Sequence, residues 1–188
     1  MYTEVKDQLM KFEVKPKRIP KVFDQRIAQE IYNLFPESEE KLRIFFASVA
    51  SCSPYLYFQI LKEKTWLLHT VSDDDFSILS LLESLESETY DSLYLKLRVA
   101  KRRAALWIAL NDLAGFWSLE VVTKNLSAFA EKAINLSWHA SFLKELKKGK
   151  FPTDYHEDPD GVGFFILAMG KLGAYELNYS SDIDLICF

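Results

Sequence analysis

The stretch that decides the fold is Gly163-Phe164-Phe165-Ile166-Leu167-Ala168-Met169-Gly170-Lys171-Leu172-Gly173-Ala174-Tyr175-Glu176-Leu177-Asn178-Tyr179-Ser180-Ser181-Asp182-Ile183-Asp184-Leu185-Ile186-Cys187-Phe188. Its opening apolar run is bounded by glycine and is too short for a free-standing helix, so Gly163 to Met169 is predicted to be a buried strand. Asp182 to Phe188 is a second strand candidate. Side chains alternate along a strand, so Asp182 and Asp184 are expected on one face, with Ile183, Leu185 and Cys187 packed on the other.

Two carboxylates aimed at one site from a rigid support suit phosphoryl or nucleotidyl transfer. That reaction builds charge on phosphate oxygens, which two magnesium ions about 3.5 to 4 Å apart can clamp. Magnesium takes hard oxygen ligands of this kind. The glycines let the backbone near Gly170 and Gly173 approach a phosphate with exposed amides as donors, and Lys171 is placed to neutralise phosphate charge. An Asp-x-Asp pair alone also fits an acidic strand edge that needs no metal. The glycine turn upstream of it, following a strand, is what favours the catalytic reading, since apolar-Gly, a spacer and Asp-apolar-Asp-apolar is the general nucleotidyltransferase pattern. Gly170, Asp182 and Asp184 match it; Lys171 departs.

Upstream, Gly149 to Gly161 holds two Pro, two Gly and four acidic residues, which is loop chemistry, and a domain boundary is placed there. Residues 21–148 read as repeatedly helical, with five or six helices. Pro36 before Glu37, Glu39 and Glu40 signals one helix start, and Ser53-Pro54 signals another. Ser72 followed by Asp73, Asp74 and Asp75 reads as an N-cap with an acidic first turn, leading into Phe76, Ile78, Leu79, Leu81, Leu82 and Leu85. A metal site is the alternative for that triplet, but neighbouring side chains on a helix diverge. A long helix is expected from Tyr90 to Leu113, with Leu93, Leu97, Ala100, Ala104, Trp107 and Leu110 on one stripe and Gly115 as its left-handed cap. The cluster Lys101, Arg102, Arg103 within it reads as a solvated face or as a contact for a phosphate or an acidic partner. A further long helix starts near Ser118, carrying Leu119, Val122, Leu126, Phe129, Ala133, Leu136 and Ala140. Residues 1–20 form a lead-in, flexible or weakly helical, so the expected organisation is 1–20, 21–148, 149–161 and 162–188.

Composition narrows the classes. Apolar residues make up 49% of the 188 positions, enough for an ordinary core, and 23 basic against 27 acidic side chains give a net charge of −4. Nucleic acid is therefore not an expected partner. No apolar run reaches about 20 residues and no signal peptide opens the chain, so no membrane association and a cytoplasmic location are expected. Cys52 and Cys187 lack partners at ligand or disulfide spacing and are expected to be buried thiols. His69, His139 and His156 are scattered. Trp66, Trp107, Trp117 and Trp138 fall on or beside apolar stripes and are expected in the core. Tyr175 and Tyr179 flank the glycine turn, where nucleotide contact and packing are equally consistent.

The segment Gly170 to Leu185, with Gly-Lys-Leu-Gly, Glu-Leu-Asn and Ser-Asp-Ile-Asp-Leu, resembles the signature of glutamine synthetase adenylyltransferase, a family that itself has Lys at the Lys171 position. Ser53-Pro54-Tyr55-Leu56, Leu97-Arg98, Arg102-Arg103, Ile108 to Leu113, Leu119 to Thr123 and Leu126-Ser127 resemble its helical lead-in. The resemblance covers roughly Ala50 onward. The Glu176-Leu177-Asn178 wording is similar to the half of that bifunctional enzyme that removes adenylyl groups. It implies a mainly α region followed by the truncated beginning of an α/β nucleotidyltransferase domain, and phosphorolysis of an adenylylated tyrosine on glutamine synthetase to give ADP.

By the same resemblance, Asp182 and Asp184 hold Mg2+, Gly170 and Gly173 shape the phosphate site, and Ser181 supports the metal pair or the nucleotide. A third carboxylate is implied on a later strand outside the chain, so this chain alone is expected to have little activity. The implied partners are adenylylated glutamine synthetase, a nitrogen-signalling regulatory protein, nucleotide and phosphate. A different class of reading is a helical docking module for glutamine synthetase or the signalling protein, without catalysis. A third is a nucleotidyltransferase that modifies another protein.

Overall fold

The computed structural model describes residues 16–73, 75–149 and 163–188. It is mainly α, as expected. Among the described residues the order is α1 (Gln25–Leu34), α2 (Glu40–Cys52), α3 (Pro54–Lys62), α4 (Lys64–Thr70), α5 (Ser80–Glu83), α6 (Tyr90–Ala114), α7 (Leu119–Leu146), β1 (Ile166–Ala168), α8 (Gly170–Gly173) and β2 (Leu185–Cys187). They fall into two compact units, one running to Ser77 and taking in Ala105–Val122, the other comprising Ile78–Ala104 and Thr123–Phe188.

In the first unit, α1 begins where Asp24 accepts from the amides of Arg26 (2.8 Å) and Ile27 (3.0 Å), satisfying donors that a helix start leaves unpaired. Helix α3 begins at Ser53-Pro54 as expected: the Ser53 hydroxyl accepts from the Leu56 amide at 3.3 Å, and Pro54 occupies the first turn. Pro36 does not start α2. Residues 35–38 form a turn closed by the Ser38 amide on the Phe35 carbonyl (3.1 Å), and the helix waits until Glu40. Phe35, Phe45 and Phe46 are fully buried, with Phe35 and Phe46 ring centroids 5.1 Å apart, and α1 packs on α2 around them. Trp66, Phe76 and Trp107 meet edge to face at 5.2–6.4 Å. The terminus of α6 closes on Gly115, whose φ of +76° suits glycine, with the Phe116 amide returning to the Asn111 carbonyl at 3.0 Å. Lys17 and Arg18 donate backbone amides to the Ala114 carbonyl, and the Arg18 guanidinium reaches the Asp112 carbonyl at 2.7 Å.

Two further expectations for this unit are corrected. Ser72 is not an N-cap: its hydroxyl points back to the Leu68 carbonyl (3.4 Å), while Asp73 accepts from the Asp75 amide (3.1 Å) in a local turn that competes with helix formation. Among the described residues, helix between this point and α6 is limited to α5, and Asp74 lies outside the described residues. Cys52 is exposed rather than buried, its thiol donating to the Lys21 carbonyl.

In the second unit, α6 and α7 carry the apolar stripes that the spacing gave. Leu93, Ala100 and Ala104 of α6 and Phe129, Leu136 and Ala140 of α7 are buried. Lys144 pairs with Asp91 at 2.9 Å, and Lys132 pairs with Glu86. Trp138 stacks on Phe164 with centroids 3.8 Å apart. Strands β1 and β2 form an antiparallel ladder with Leu167 opposite Ile186. The expected burial of these strands is not found: Phe165, Leu167, Leu185, Ile186, Cys187 and Phe188 are exposed. Among the described residues the sheet consists of these two strands alone, and apolar composition does not by itself bury a two-stranded ribbon. Leu119, placed on the α7 stripe by its spacing, is also exposed because it opens the helix. The lead-in through residue 15 and nearly all of the 149–161 loop lie outside the described residues, as does His156.

Candidate active site at the glycine turn

The chain leaves β1 at Ala168 and turns at once. Met169 donates its amide to the Asp184 carbonyl (2.9 Å), extending the ladder by one bond beyond β2. Gly170 follows with φ +55°, in the left-handed region where glycine avoids the clash that a Cβ brings. A Cβ built on Gly170 would lie 3.7 Å from Asp184 Oδ2, so the turn and this carboxylate are neighbours.

Gly173 is needed for a different reason. A Cβ there would stand 2.4 Å from the Ala168 carbonyl oxygen, so the single helical turn α8 closes directly over the end of β1. The Gly173 amide is used inside that turn, donating to the Met169 carbonyl at 3.2 Å, which corrects the expectation that it stands open as a phosphate donor. Leu172 is buried beneath the turn, and Lys171 is exposed.

From α8 the backbone passes through Tyr175, whose φ of +59° is unusual for a bulky residue. The Tyr175 amide donates to the Leu172 carbonyl (3.0 Å) and the Glu176 amide to the Lys171 carbonyl (2.8 Å). Leu177 is buried, and its amide donates to the hydroxyl of Ser127 on α7 at 3.3 Å. Asn178 then organises the approach to the carboxylates: its side-chain oxygen accepts from the Ser181 hydroxyl (2.7 Å) and the Ser180 amide (3.3 Å). Ser181 is thus committed to Asn178.

Asp182 and Asp184 are both exposed, but they precede β2, which begins at Leu185. Only the bond from Met169 to the Asp184 carbonyl carries the ladder back to this segment. Ile183 and Leu185, expected to pack on the opposite face, are exposed as well. What fixes the segment is the Asn178 turn on one side and the Met169 to Asp184 bond on the other. Gly170, Asp184 and the end of β1 are brought together, while Lys171 is exposed on α8.

The donor chemistry is hard oxygen, and Gly170 places no Cβ beside the Asp184 carboxylate, which fits a magnesium ion in kind. Among the described residues no group of three or more His, Cys, Asp or Glu side chains is close enough to hold a metal, so the pair is not completed by a third such ligand. Sequence reasoning gave no role to Ser127, which holds the Leu177 amide, or to the side chain of Asn178, which holds Ser181. A serine set between the apolar positions Leu126 and Phe129 on α7 signals a buried hydroxyl in need of a partner, although not which one.

Also among the described residues, no helix is long and apolar enough to cross a membrane. The family described as glutamate-ammonia ligase adenylyltransferase matches residues 45–188. A bifunctional glutamine synthetase adenylyltransferase/adenylyl-removing enzyme of Rhodopseudomonas palustris is 36% identical over 163 residues, covering 83% of this chain and 16% of the relative. Proteins of the same name from a Bradyrhizobium species (33% over 188 residues, 91% and 19%) and Bartonella quintana (35% over 146 residues, 77% and 14%) are similar in the same way. The chain therefore spans less than a fifth of the length of these relatives. With the glycine turn, the Asp-Ile-Asp segment and the helices from α3 onward inside the matched region, the chain belongs to the glutamate-ammonia ligase adenylyltransferase family.

Proposed function

We propose that this chain is part of the half of a bifunctional enzyme that removes AMP from an adenylylated tyrosine of glutamine synthetase by phosphorolysis. The observation that carries the reading is the Gly170 turn set against the Asp184 carboxylate, on either side of the Glu176-Leu177-Asn178 segment that resembles the adenylyl-removing half. Asp182 and Asp184 would hold Mg2+, which when bound supplies charge neutralisation at phosphate oxygens. Gly170 keeps the approach to Asp184 free of a side chain. Lys171 is exposed where it can meet phosphate, Gly173 sets the closeness of the turn, and Ser181, held by Asn178, fixes the segment carrying both carboxylates.

The partners on this reading are adenylylated glutamine synthetase, a nitrogen-signalling regulatory protein, nucleotide and phosphate, in the cytoplasm. Because the chain spans 14–19% of its relatives, and among its described residues the carboxylate pair is not completed by a third such ligand, it should turn over little by itself. A second reading, a docking module without catalysis, is favoured by the length of helical sequence preceding the glycine turn.

The two separate by experiment. ADP release from adenylylated glutamine synthetase with phosphate and Mg2+ should be near zero for the 188-residue chain and appear in a version extended toward the length of the relatives. Comparable rates from both would overturn the incomplete-site proposal. No activity in either, with binding to the synthetase retained, would favour docking.

A further inference from the structure

We infer that one face of α7, through Ser127 and Glu131, positions the loop that delivers Asp182 and Asp184. This rests on reading that loop as the phosphoryl-transfer site. Ser127 and Glu131 are four residues apart and so lie on the same side of α7. Ser127 is fully buried, and its hydroxyl accepts from the Leu177 amide at 3.3 Å; one turn along, Glu131 accepts from the Tyr175 hydroxyl. Both contacts span more than 40 residues of sequence, and both grip the chain just after α8.

The place they grip is strained. Tyr175 sits at φ +59°, and a bulky residue persists there only where its surroundings dictate it. Here the surroundings are the Leu172 carbonyl on the Tyr175 amide, the Lys171 carbonyl on the Glu176 amide, and the two α7 contacts. The loop is therefore held at its start by α7, in its middle by Asn178, and at its end by the Met169 amide on Asp184. Ser127, Glu131 and Tyr175 act through the backbone on the carboxylates, as positioning residues. Freeing the start should loosen Asp182 and Asp184 while β1 and β2 stay paired.

The test is Mn2+ binding to the version of the chain extended toward the length of its relatives, followed by the loss of the free-ion electron paramagnetic resonance signal, with thermal unfolding of every variant measured alongside. Asp182→Asn reports on the site itself and should abolish saturable binding. Tyr175→Phe and Ser127→Cys, which keep side-chain volume nearly constant, should weaken binding about three- to tenfold, the range given by loss of one net hydrogen bond, with unfolding midpoints close to the parent. Glu131→Ala should match Tyr175→Phe, and the double variant should be no weaker than either. Glu131→Gln, whose amide oxygen still accepts the phenol proton, should restore parental affinity.

Binding lost in Asp182→Asn but unchanged in Tyr175→Phe and Ser127→Cys would overturn the positioning inference and leave the site reading standing. Affinity and unfolding midpoint falling together, with Glu131→Gln no better than Glu131→Ala, would also overturn it. A parent chain that binds no Mn2+, or binds it as well after Asp182→Asn, would remove the site reading and the inference with it.

Discussion

Gly170 and Asp184 meet across the mouth of the β1–β2 ladder: a β-carbon on Gly170 would stand 3.7 Å from Asp184 Oδ2, and the Asp184 carbonyl accepts the Met169 amide at 2.9 Å. Backbone conformation and carboxylate placement are thus set by the same few atoms. Gly170→Ala should be destabilising because φ is +55°, by about 1 kcal/mol, the cost of the left-handed region for a residue with a Cβ. The space itself is adequate, so the fold should survive. Thermal unfolding followed by circular dichroism checks this, and an unchanged midpoint would contradict it.

Gly173→Ala should be worse than Gly170→Ala. Its Cβ would meet the Ala168 carbonyl oxygen at 2.4 Å, and backbone cannot rotate away as a side chain can. Forced overpacking costs about 1 to 3 kcal/mol. Hydrogen exchange should show the damage at residues 166–173, with the helices of the first unit unaffected. Equal destabilisation by the two substitutions would contradict the distinction drawn between the two glycines.

How much of this was legible beforehand depended on how local the cause was. The limits of α6, expected at Tyr90 to Leu113 and found at Tyr90–Ala114, follow from an apolar period and from Gly115, both readable along the chain. The Ser53-Pro54 start was readable for the same reason. Ser72 misled because an N-cap signature and an Asp73 turn are spelled with the same residues, and only the groups they meet, the Leu68 carbonyl and the Asp75 amide, separate them. The strands misled because burial belongs to what covers a sheet, and composition does not report that. Asp182 and Asp184 were singled out by pattern, but the segment that carries them is held by Asn178 and Met169, and the α7 contacts of Ser127 and Glu131 join residues 44 to 50 apart. No period in the sequence carries such pairings.

Asp24→Ala should lower stability by about 0.5 to 2 kcal/mol, the usual worth of an N-cap, since its carboxylate accepts from two amides at the start of α1. Asp24→Asn keeps the accepting oxygen and should recover most of the loss. Failure of the asparagine variant to recover would mean that charge, rather than capping, was responsible.

Acid should act through the carboxylates before and at the start of α6. Hydrogen bonds from Lys96 and then Ser92 hold the Glu88 carboxyl below its ordinary value, and Lys132 does the same for Glu86. A depressed folded-state value means the stabilisation is present above the unfolded value and is lost as pH falls through the folded one. Replacing both by Gln should lower the unfolding midpoint modestly at pH 7, and the gap from the parent should close below about pH 4. A gap that persists undiminished at about pH 3 would contradict this assignment.

The most direct test of the proposed chemistry is ADP release from adenylylated glutamine synthetase, with phosphate and Mg2+, by the chain extended toward the length of its relatives and carrying Asp182→Asn or Asp184→Asn. Each substitution should reduce the rate by at least about a hundredfold, as expected for removing a carboxylate that holds a metal ion, while binding of the synthetase is retained. Full activity in both variants would contradict the placement of the reaction at the Gly170–Asp184 turn.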